Sequence, residues 1–174
     1  MTDLEGCQLT SVPKFSLGSA APARQPLMRR VKRVLAAPWN QYVKKWLKRA
    51  YYAWSEWRGP TEAQITAKEF AQDTSFKTGD WVRVRSREEI AATLDPFNEL
   101  KGCAFLESMY QFCGTQQRVF KTMQRFLDER DYKVKKVRGV ILLDNVICQG
   151  TPAFGTCDRS CFLFWREEWL EKIT

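Results

Sequence analysis

The feature that most constrains the fold is a succession of short segments, between Phe76 and the C-terminus, in which apolar and polar residues alternate. Gly79 and Asp80 predict a tight turn, and the strand that follows places Val82 and Val84 on one face. Four or five short strands in about a hundred residues predict a mainly β domain with added helices. We expect this domain to be a small SH3-like barrel or a partly open barrel, and a partly open α+β sheet is the alternative. Alternation and β-branched residues predict a further strand in residues 116–123 and one or two strands in residues 132–148, within 132–137 and 140–147. Residues 161–170 are predicted to form a final strand or a strand-to-helix junction.

The composition divides the chain into three regions. Residues 1–26 are predicted to be a flexible lead, because Ser, Pro, Gly and Ala dominate them and no periodicity persists. Residues 27–75 are predicted to be a basic aromatic helical segment with a linker, in which Pro38 separates two helical pieces and Thr61 caps a third. Residues 76–174 are the predicted cysteine-containing, β-barrel-like domain.

The net charge of +8 is carried by the N-terminal part of the chain. Residues 1–58 contain eleven Lys and Arg against three Asp and Glu, whereas residues 59–174 contain seventeen of each. A neutral globular part disfavours a nucleic-acid-binding body, because affinity for nucleic acid comes mainly from cations that contact phosphates. We therefore expect the basic character to serve the N-terminal helix.

The helix predicted after Asn40 combines cations with a stripe of aromatic residues. Such a helix can pack on its own domain, dock on an acidic partner protein, lie on an anionic membrane surface or contact nucleic-acid phosphates. Among external partners, the sequence favours an acidic protein over a membrane surface and disfavours nucleic acid. The predicted partner-binding or membrane-binding residues are Lys44, Lys45, Trp46, Lys48, Arg49 and Trp54.

Missing residue types and motifs exclude several kinds of chemistry. The chain has no histidine, which excludes Ser-His-Asp and Cys-His catalysis as well as histidine metal ligands. It has no G-x-G-x-x-G or G-K-[ST] motif, so no nucleotide is expected to bind through such loops. No apolar run reaches the roughly 18 residues that span a bilayer, and residues 1–15 do not resemble a secretory signal. We expect a cytoplasmic protein, with a peripheral position at the inner face of a membrane left open.

Three of the six cysteines fall within residues 148–161. In a cytoplasmic protein such clustering favours metal or redox chemistry over structural disulfides. Thiolates are soft, charged ligands, and four of them complete a tetrahedral zinc site or hold an iron–sulfur cluster. Buried thiols, a redox pair or a catalytic cysteine, with no metal, are the alternatives, because the spacing lacks the usual Cys-x-x-Cys knuckle. The predicted metal ligands are Cys113, Cys148, Cys157 and Cys161, with Asp158 as a substitute fourth ligand and Cys103 assigned to the core.

From Gly79 to the end, four blocks occur in the order GDWVRVRSREEIAATLD, GCAFLESMYQFCGTQQRVFK, LLDNVICQG and GTCDRSCFLFWREEWLEKI. They are similar to a family of small bacterial proteins with no assigned activity, which carry a Cys-rich loop before a Leu-Phe-Trp-x-Glu-x-Trp strand. The resemblance implies a gene context of polysaccharide or secondary-metabolite assembly. Family members usually have a His where residues 152–154 read Pro-Ala-Phe, and often a Cys where Met123 stands. If both residues are metal ligands in the family, this chain has lost two of them.

The clustered cysteines, without a histidine or an evident acid–base constellation, predict a non-catalytic module. Zinc or an iron–sulfur cluster would clamp it, and it would act as an accessory or scaffold protein. The alternative is an iron–sulfur or thiol-dependent accessory enzyme in redox or biosynthetic chemistry. Arg166, Glu167 and Glu168 are charged candidates for that enzyme near the final strand, although a solvated strand end explains them equally well.

Overall fold

The computed structural model describes residues 43–71, 75–128, 133–151 and 155–173. The predicted flexible lead and the first helical piece, with Pro38 and Asn40, lie outside these residues. The predicted second helix is present and ends at Arg58, before Gly59 and Pro60. The helices are α1 (Lys44–Arg58), α2 (Glu62–Phe70), α3 (Arg87–Ala91) and two short 3-10 helices, Glu107–Phe112 and Glu167–Trp169.

Strands make up the larger part of the regular structure, as predicted, and helices are added to them. The main sheet has five strands in the order β8-β5-β4-β1-β9, and all neighbours in it are antiparallel. The sheet is open, and each of two small hairpins adds a two-stranded ladder. The strands are β1 (Trp81–Val84), β2 (Glu99–Leu100), β3 (Cys103–Ala104), β4 (Gln116–Asp128), β5 (Lys133–Leu143), β6 (Gly150–Thr151), β7 (Gly155–Thr156), β8 (Trp165–Arg166) and β9 (Leu170–Lys172).

The alternating pattern of β1 is confirmed. Val82 and Val84 are buried, whereas Trp81 on the other face is exposed, because successive strand side chains point to opposite faces. The strand pairs with β4 on one side and with β9 on the other, so it lies inside the sheet. Both predicted helix caps are also confirmed: Thr61 and Ser86 each form a capping box with the residue three positions later.

The main core lies on the inner face of the sheet and is built around two tryptophans. Trp165 and Trp169 are fully buried, and the ring of Phe105 meets both edge-on, with centroids 6.0 and 5.2 Å away. Such edge-to-face contacts add to the hydrophobic burial of large rings. Ala67 of α2 lies in this same core, so α2 packs directly on the sheet domain. A smaller cluster on the other face contains Met123, Val140 and Leu142.

None of the helices in residues 43–71, 75–128, 133–151 and 155–173 is both long and apolar enough to cross a bilayer.

Candidate functional site

The helix α1 presents two opposite faces. Lys48, Tyr52 and Ser55 recur at spacings of three and four residues, and this face turns towards the sheet domain. Trp46 and Trp57, eleven residues apart, lie on the opposite face, where their side chains are 67% and 85% exposed. The helix therefore uses its polar and tyrosine side for internal packing and leaves its tryptophans outside.

Asp95 is the anchor point for α1 on the domain. The Tyr52 hydroxyl donates a 2.6 Å hydrogen bond to Asp95 Oδ2, while Asp95 Oδ1 accepts from the backbone N–H groups of Phe97 and Glu99. Burial, followed by the hydrogen bond to Asp95, raises the pKa of Tyr52 above its ordinary value. The Tyr51 ring meets Phe97 edge-on at 5.6 Å. One carboxylate thus orders a turn of the domain and holds the helix against it.

The predicted cations of α1 have different surroundings. The Lys48 ammonium pairs with Glu99 of the same chain, so Lys48 holds α1 on its own domain instead of extending into solvent. Arg49 is exposed. Lys44 and Lys45 lie in the first turn of α1, and their side chains lie outside the described part of the structure. Trp54 is 48% exposed, and the Arg58 guanidinium lies 4.3 Å from the centroid of its ring.

A groove of about 420 Å³ lies between α1, α2 and the hairpin β2–β3. Its floor includes the buried residues Ala67 and Leu100, and its rim carries Asp95 and Glu99. Both carboxylates are already bound to α1, through Tyr52 and Lys48. The groove is therefore the seam along which α1 rests on the domain.

The predicted metal ligands are only partly brought together. The Cys148 N–H donates a 2.6 Å hydrogen bond to the Cys161 carbonyl, and the Cys157 N–H donates to the Gln149 carbonyl at 3.1 Å. These three cysteines therefore lie on neighbouring backbone segments. Cys157 and Cys161 are exposed, whereas Cys148 packs against the main core.

Cys113 lies at the end of the 3-10 helix Glu107–Phe112 and packs against the main core. Burial raises the pKa of its thiol, which disfavours the thiolate form that binds metals. Burial likewise raises the pKa of Cys103 to about 11, in keeping with its predicted core position. Within the described residues, no three Cys, Asp or Glu side chains are grouped closely enough to hold a metal ion. The metal site therefore stays a prediction.

The interpretation of Arg166 and Glu168 as a solvated strand end is wrong. Both side chains are buried, and Glu168 accepts hydrogen bonds from Arg166 and from the Lys101 ammonium. Glu167, between them, is half-buried. The sequence carries no signal for this network, because the pairing depends on how β5 and the C-terminal segment meet.

No protein-family model matches this chain, and no curated protein or solved structure matches it either. The resemblance to small bacterial proteins therefore stays a prediction.

Proposed function

We propose that this chain is a non-catalytic interaction module, in which a partly open SH3-like barrel carries α1 as a docking helix for an acidic partner protein. The observation that carries the proposal is the tryptophan face of α1, formed by Trp46, Trp54 and Trp57, which points away from the domain. Large exposed aromatic side chains on a rigid element are typical of binding surfaces. If the family resemblance holds, the role is that of an accessory protein.

The barrel interpretation is supported by the connection between the two edge strands of the main sheet. β8 and β9 lie at opposite edges, yet only the residues Glu167–Trp169 link them. In a flat five-stranded sheet the edges would be about 19 Å apart, four strand spacings of about 4.8 Å. Three residues in a 3-10 helix advance only about 6 Å. The sheet must therefore curl strongly, which favours a partly open barrel.

The tryptophan face is supported from behind, so a partner would meet a surface that is already ordered. The Tyr52–Asp95 hydrogen bond, the Lys48–Glu99 ion pair and the packing of Tyr51 fix the opposite side of the helix. A preordered surface binds more tightly because less conformational entropy is lost on association. Full burial of one of these side chains by a partner contributes about 1.5–3 kcal/mol.

The charges around the tryptophan face favour an acidic protein. Arg49 is exposed beside the face, and Arg58 stacks on Trp54, an arrangement that leaves guanidinium N–H groups for carboxylates. Aromatic residues and Arg are enriched at protein interfaces, whereas Lys is depleted. Lys48, which could otherwise reach lipid headgroups, is bound to Glu99. These features favour a protein over a membrane surface.

The proposal is tested by site-specific photo-crosslinking in cells from position 50, an exposed alanine on the same helix face as Trp46 and Trp57. The captured protein is then purified and titrated against the full chain. We expect the captured protein to be acidic. The Trp46→Ala/Trp57→Ala variant should raise the Kd of the complex at least about tenfold. Trp81→Ala, which removes a 54% exposed tryptophan from β1, is the matched control and should have little effect.

Two outcomes would contradict the docking proposal. One is that the double variant binds the purified partner as tightly as the unchanged chain does. The other is that the unchanged chain floats with anionic liposomes and the double variant does not, since the tryptophan face would then serve a membrane surface.

The cysteine clamp is proposed as a second element of the module, which would stiffen residues 148–161. Its support is the adjacency of the Cys148 and Cys161 backbones, and its weak point is the buried thiol of Cys113. Anaerobic purification followed by elemental analysis tests the cysteine clamp.

About one zinc per chain in a colourless protein would support the clamp. A brown protein with sulfur-to-iron absorption would support the alternative, an iron–sulfur accessory enzyme. A metal-free protein would remove the clamp and leave the docking helix untouched.

A further inference from the structure

Residues 59–174 are neutral overall, but their basic and acidic residues are unevenly distributed along the chain. The hairpin region of residues 116–143 contains eight Lys and Arg against three Asp and Glu, a net charge of +5. The rest of residues 59–174 therefore carries nine basic and fourteen acidic residues, a net charge of −5. Overall neutrality therefore does not disfavour nucleic-acid binding, because binding depends on local charge and not on the sum.

The outer part of the basic hairpin is a two-stranded ribbon that continues past the strands flanking it. β1 pairs only with residues 116–118 of β4, and β8 pairs only with Val140 and Ile141 of β5. Residues 125–128 and 133–136 pair with one another and with no other strand in the described structure. We call these eight residues the arm. One face of the arm packs on the domain through Phe126, whose ring centroid lies 6.0 Å from that of Phe164, whereas Lys136 on the opposite face is exposed.

Cations of like charge are placed together on one face of the arm. Arg125 lies directly opposite Lys136, an arrangement that is destabilising between neighbouring strands. Arg138, two residues after Lys136, lies on the same face near the base of the arm. Within the described residues, none of the three lies within ion-pair distance of a carboxylate. Lys133 and Lys135 add positive charge elsewhere on β5.

We propose that the arm binds duplex DNA by entering its major groove. That groove is about 12 Å wide and admits a two-stranded β-ribbon, whereas the deep, narrow major groove of RNA duplexes does not admit side chains. Cations placed on both strands of such a ribbon can reach the phosphates that line the groove. Val134, 66% exposed on the same face as Lys136, offers an apolar contact of the kind that reads thymine methyl groups.

The proposal is independent of the docking helix, and its test uses the full chain with a labelled DNA duplex of about two helical turns. The arm variant is Arg125→Gln/Lys136→Gln, and the control is Lys68→Gln/Lys77→Gln, which removes two exposed cations elsewhere. At salt concentrations between about 50 and 200 mM, we expect the arm variant to raise the Kd for the duplex at least about tenfold relative to the unchanged chain. The control variant should raise this Kd less than about twofold. The slope of log K against log salt should fall by about 1.8 in the arm variant, since each lost phosphate contact contributes about 0.9.

Three results would overturn the proposal. The first is that the unchanged chain does not bind the duplex at about 50 mM salt. The second is that both variants weaken binding equally, which would show a diffuse charge effect. The third is that an RNA duplex, a DNA single strand or poly-glutamate competes as well as duplex DNA does. Trp46→Ala/Trp57→Ala should leave DNA binding unchanged, which separates this proposal from the docking function.

Discussion

The guanidinium of Arg166 donates two hydrogen bonds to the carboxylate of Glu168, from Nε to Oε2 and from Nη2 to Oε1, each 3.0 Å long. Both side chains are buried, and Lys101 adds a third contact to the carboxylate at 2.6 Å. Arg166 also donates from Nη1 to the Arg138 carbonyl at 2.8 Å. The ion pair therefore ties the C-terminal 3-10 helix to β5, at the point where the chain crosses from one sheet edge to the other.

Removing Glu168 should destabilise the fold far more than removing its exposed partner. Glu168→Ala leaves the Arg166 charge buried without a carboxylate, and we expect a loss of about 3–5 kcal/mol in the free energy of unfolding. Lys101→Ala should cost less than about 1 kcal/mol, because its side chain is more than half exposed. Urea denaturation followed by tryptophan fluorescence measures both changes. Equal losses would contradict the assignment of the buried pair as the main contact.

The same carboxylate should make stability depend on pH in the acid range. Burial acts to raise the pKa of Glu168, but hydrogen bonds from Arg166 and Lys101 outweigh it and hold the pKa below its ordinary value. A group whose pKa is lower in the folded state contributes stability above its unfolded pKa of about 4.3, and this is lost as the pH falls through the folded value. We expect the stability gap between the unchanged chain and Glu168→Gln to be full at neutral pH and to narrow below about pH 4. Denaturation curves across this range test the expectation, and a gap that widens on acidification would refute it.

Gly139 should tolerate a side chain less well than Gly114 does. Its φ is +67°, and an added Cβ would lie 2.6 Å from Glu167 Oε1 and 2.8 Å from Arg166 Nη2. Gly114 has a similar φ of +74° with nothing within 4 Å, so Gly114→Ala reports the backbone strain alone, about 1–2 kcal/mol. We expect Gly139→Ala to cost about 1–3 kcal/mol more than this control. Thermal unfolding compares the two variants, and similar losses would show that Arg166 and Glu167 move aside freely.

Relieving the like-charged pair of the arm should stabilise the protein while weakening any DNA binding. Lys136→Glu places a carboxylate directly opposite Arg125, and a favourable cross-strand pair contributes about 0.2–1 kcal/mol. Hydrogen exchange of the amides in residues 125–128 and 133–136 should therefore slow. Lys68→Glu, an equal charge change on α2, serves as the control. Faster exchange in the arm of Lys136→Glu would contradict the repulsion between Arg125 and Lys136.

The hydroxyl of Tyr52 should hold α1 on the domain. Tyr52→Phe removes only the hydrogen bond to Asp95. We expect the free energy of opening α1 to fall by about 1.5–3 kcal/mol, the range for hydrogen bonds to charged groups. Burial and Asp95 raise the pKa of Tyr52 above the ordinary tyrosine value of about 10. The stability difference between the two proteins should therefore be full below about pH 10 and narrow above it, because the unfolded side chain ionises before the folded one does. Hydrogen exchange across α1 measures the loosening. Tyr51→Phe, which keeps the ring against Phe97, is the control, and an equal effect from it would point to general loss of packing.

Local features were predictable because their causes lie within a few residues. The alternation around Val82 and Val84 determines which side of β1 is buried, since strand side chains alternate whatever the partner strand is. The capping boxes at Thr61 and Ser86 are likewise closed by residues three positions on. The apolar stripe of α1 did not indicate which face packs on the domain: Tyr51 packs inward, whereas Trp46 and Trp54 remain exposed.

By itself, then, the sequence determined β1, β4 and β5, the caps and the predominance of β structure, because short-range periodicity and turn residues encode them. Only the tertiary structure decided that Arg166 and Glu168 are buried together and that Lys48 is bound to Glu99. It also decided that the like charges of Arg125 and Lys136 meet across β4 and β5. The physical reason is that each of these relationships depends on strand pairing or tertiary packing. The residues near a charged side chain in the sequence do not indicate whether it will be buried with a partner or exposed to water.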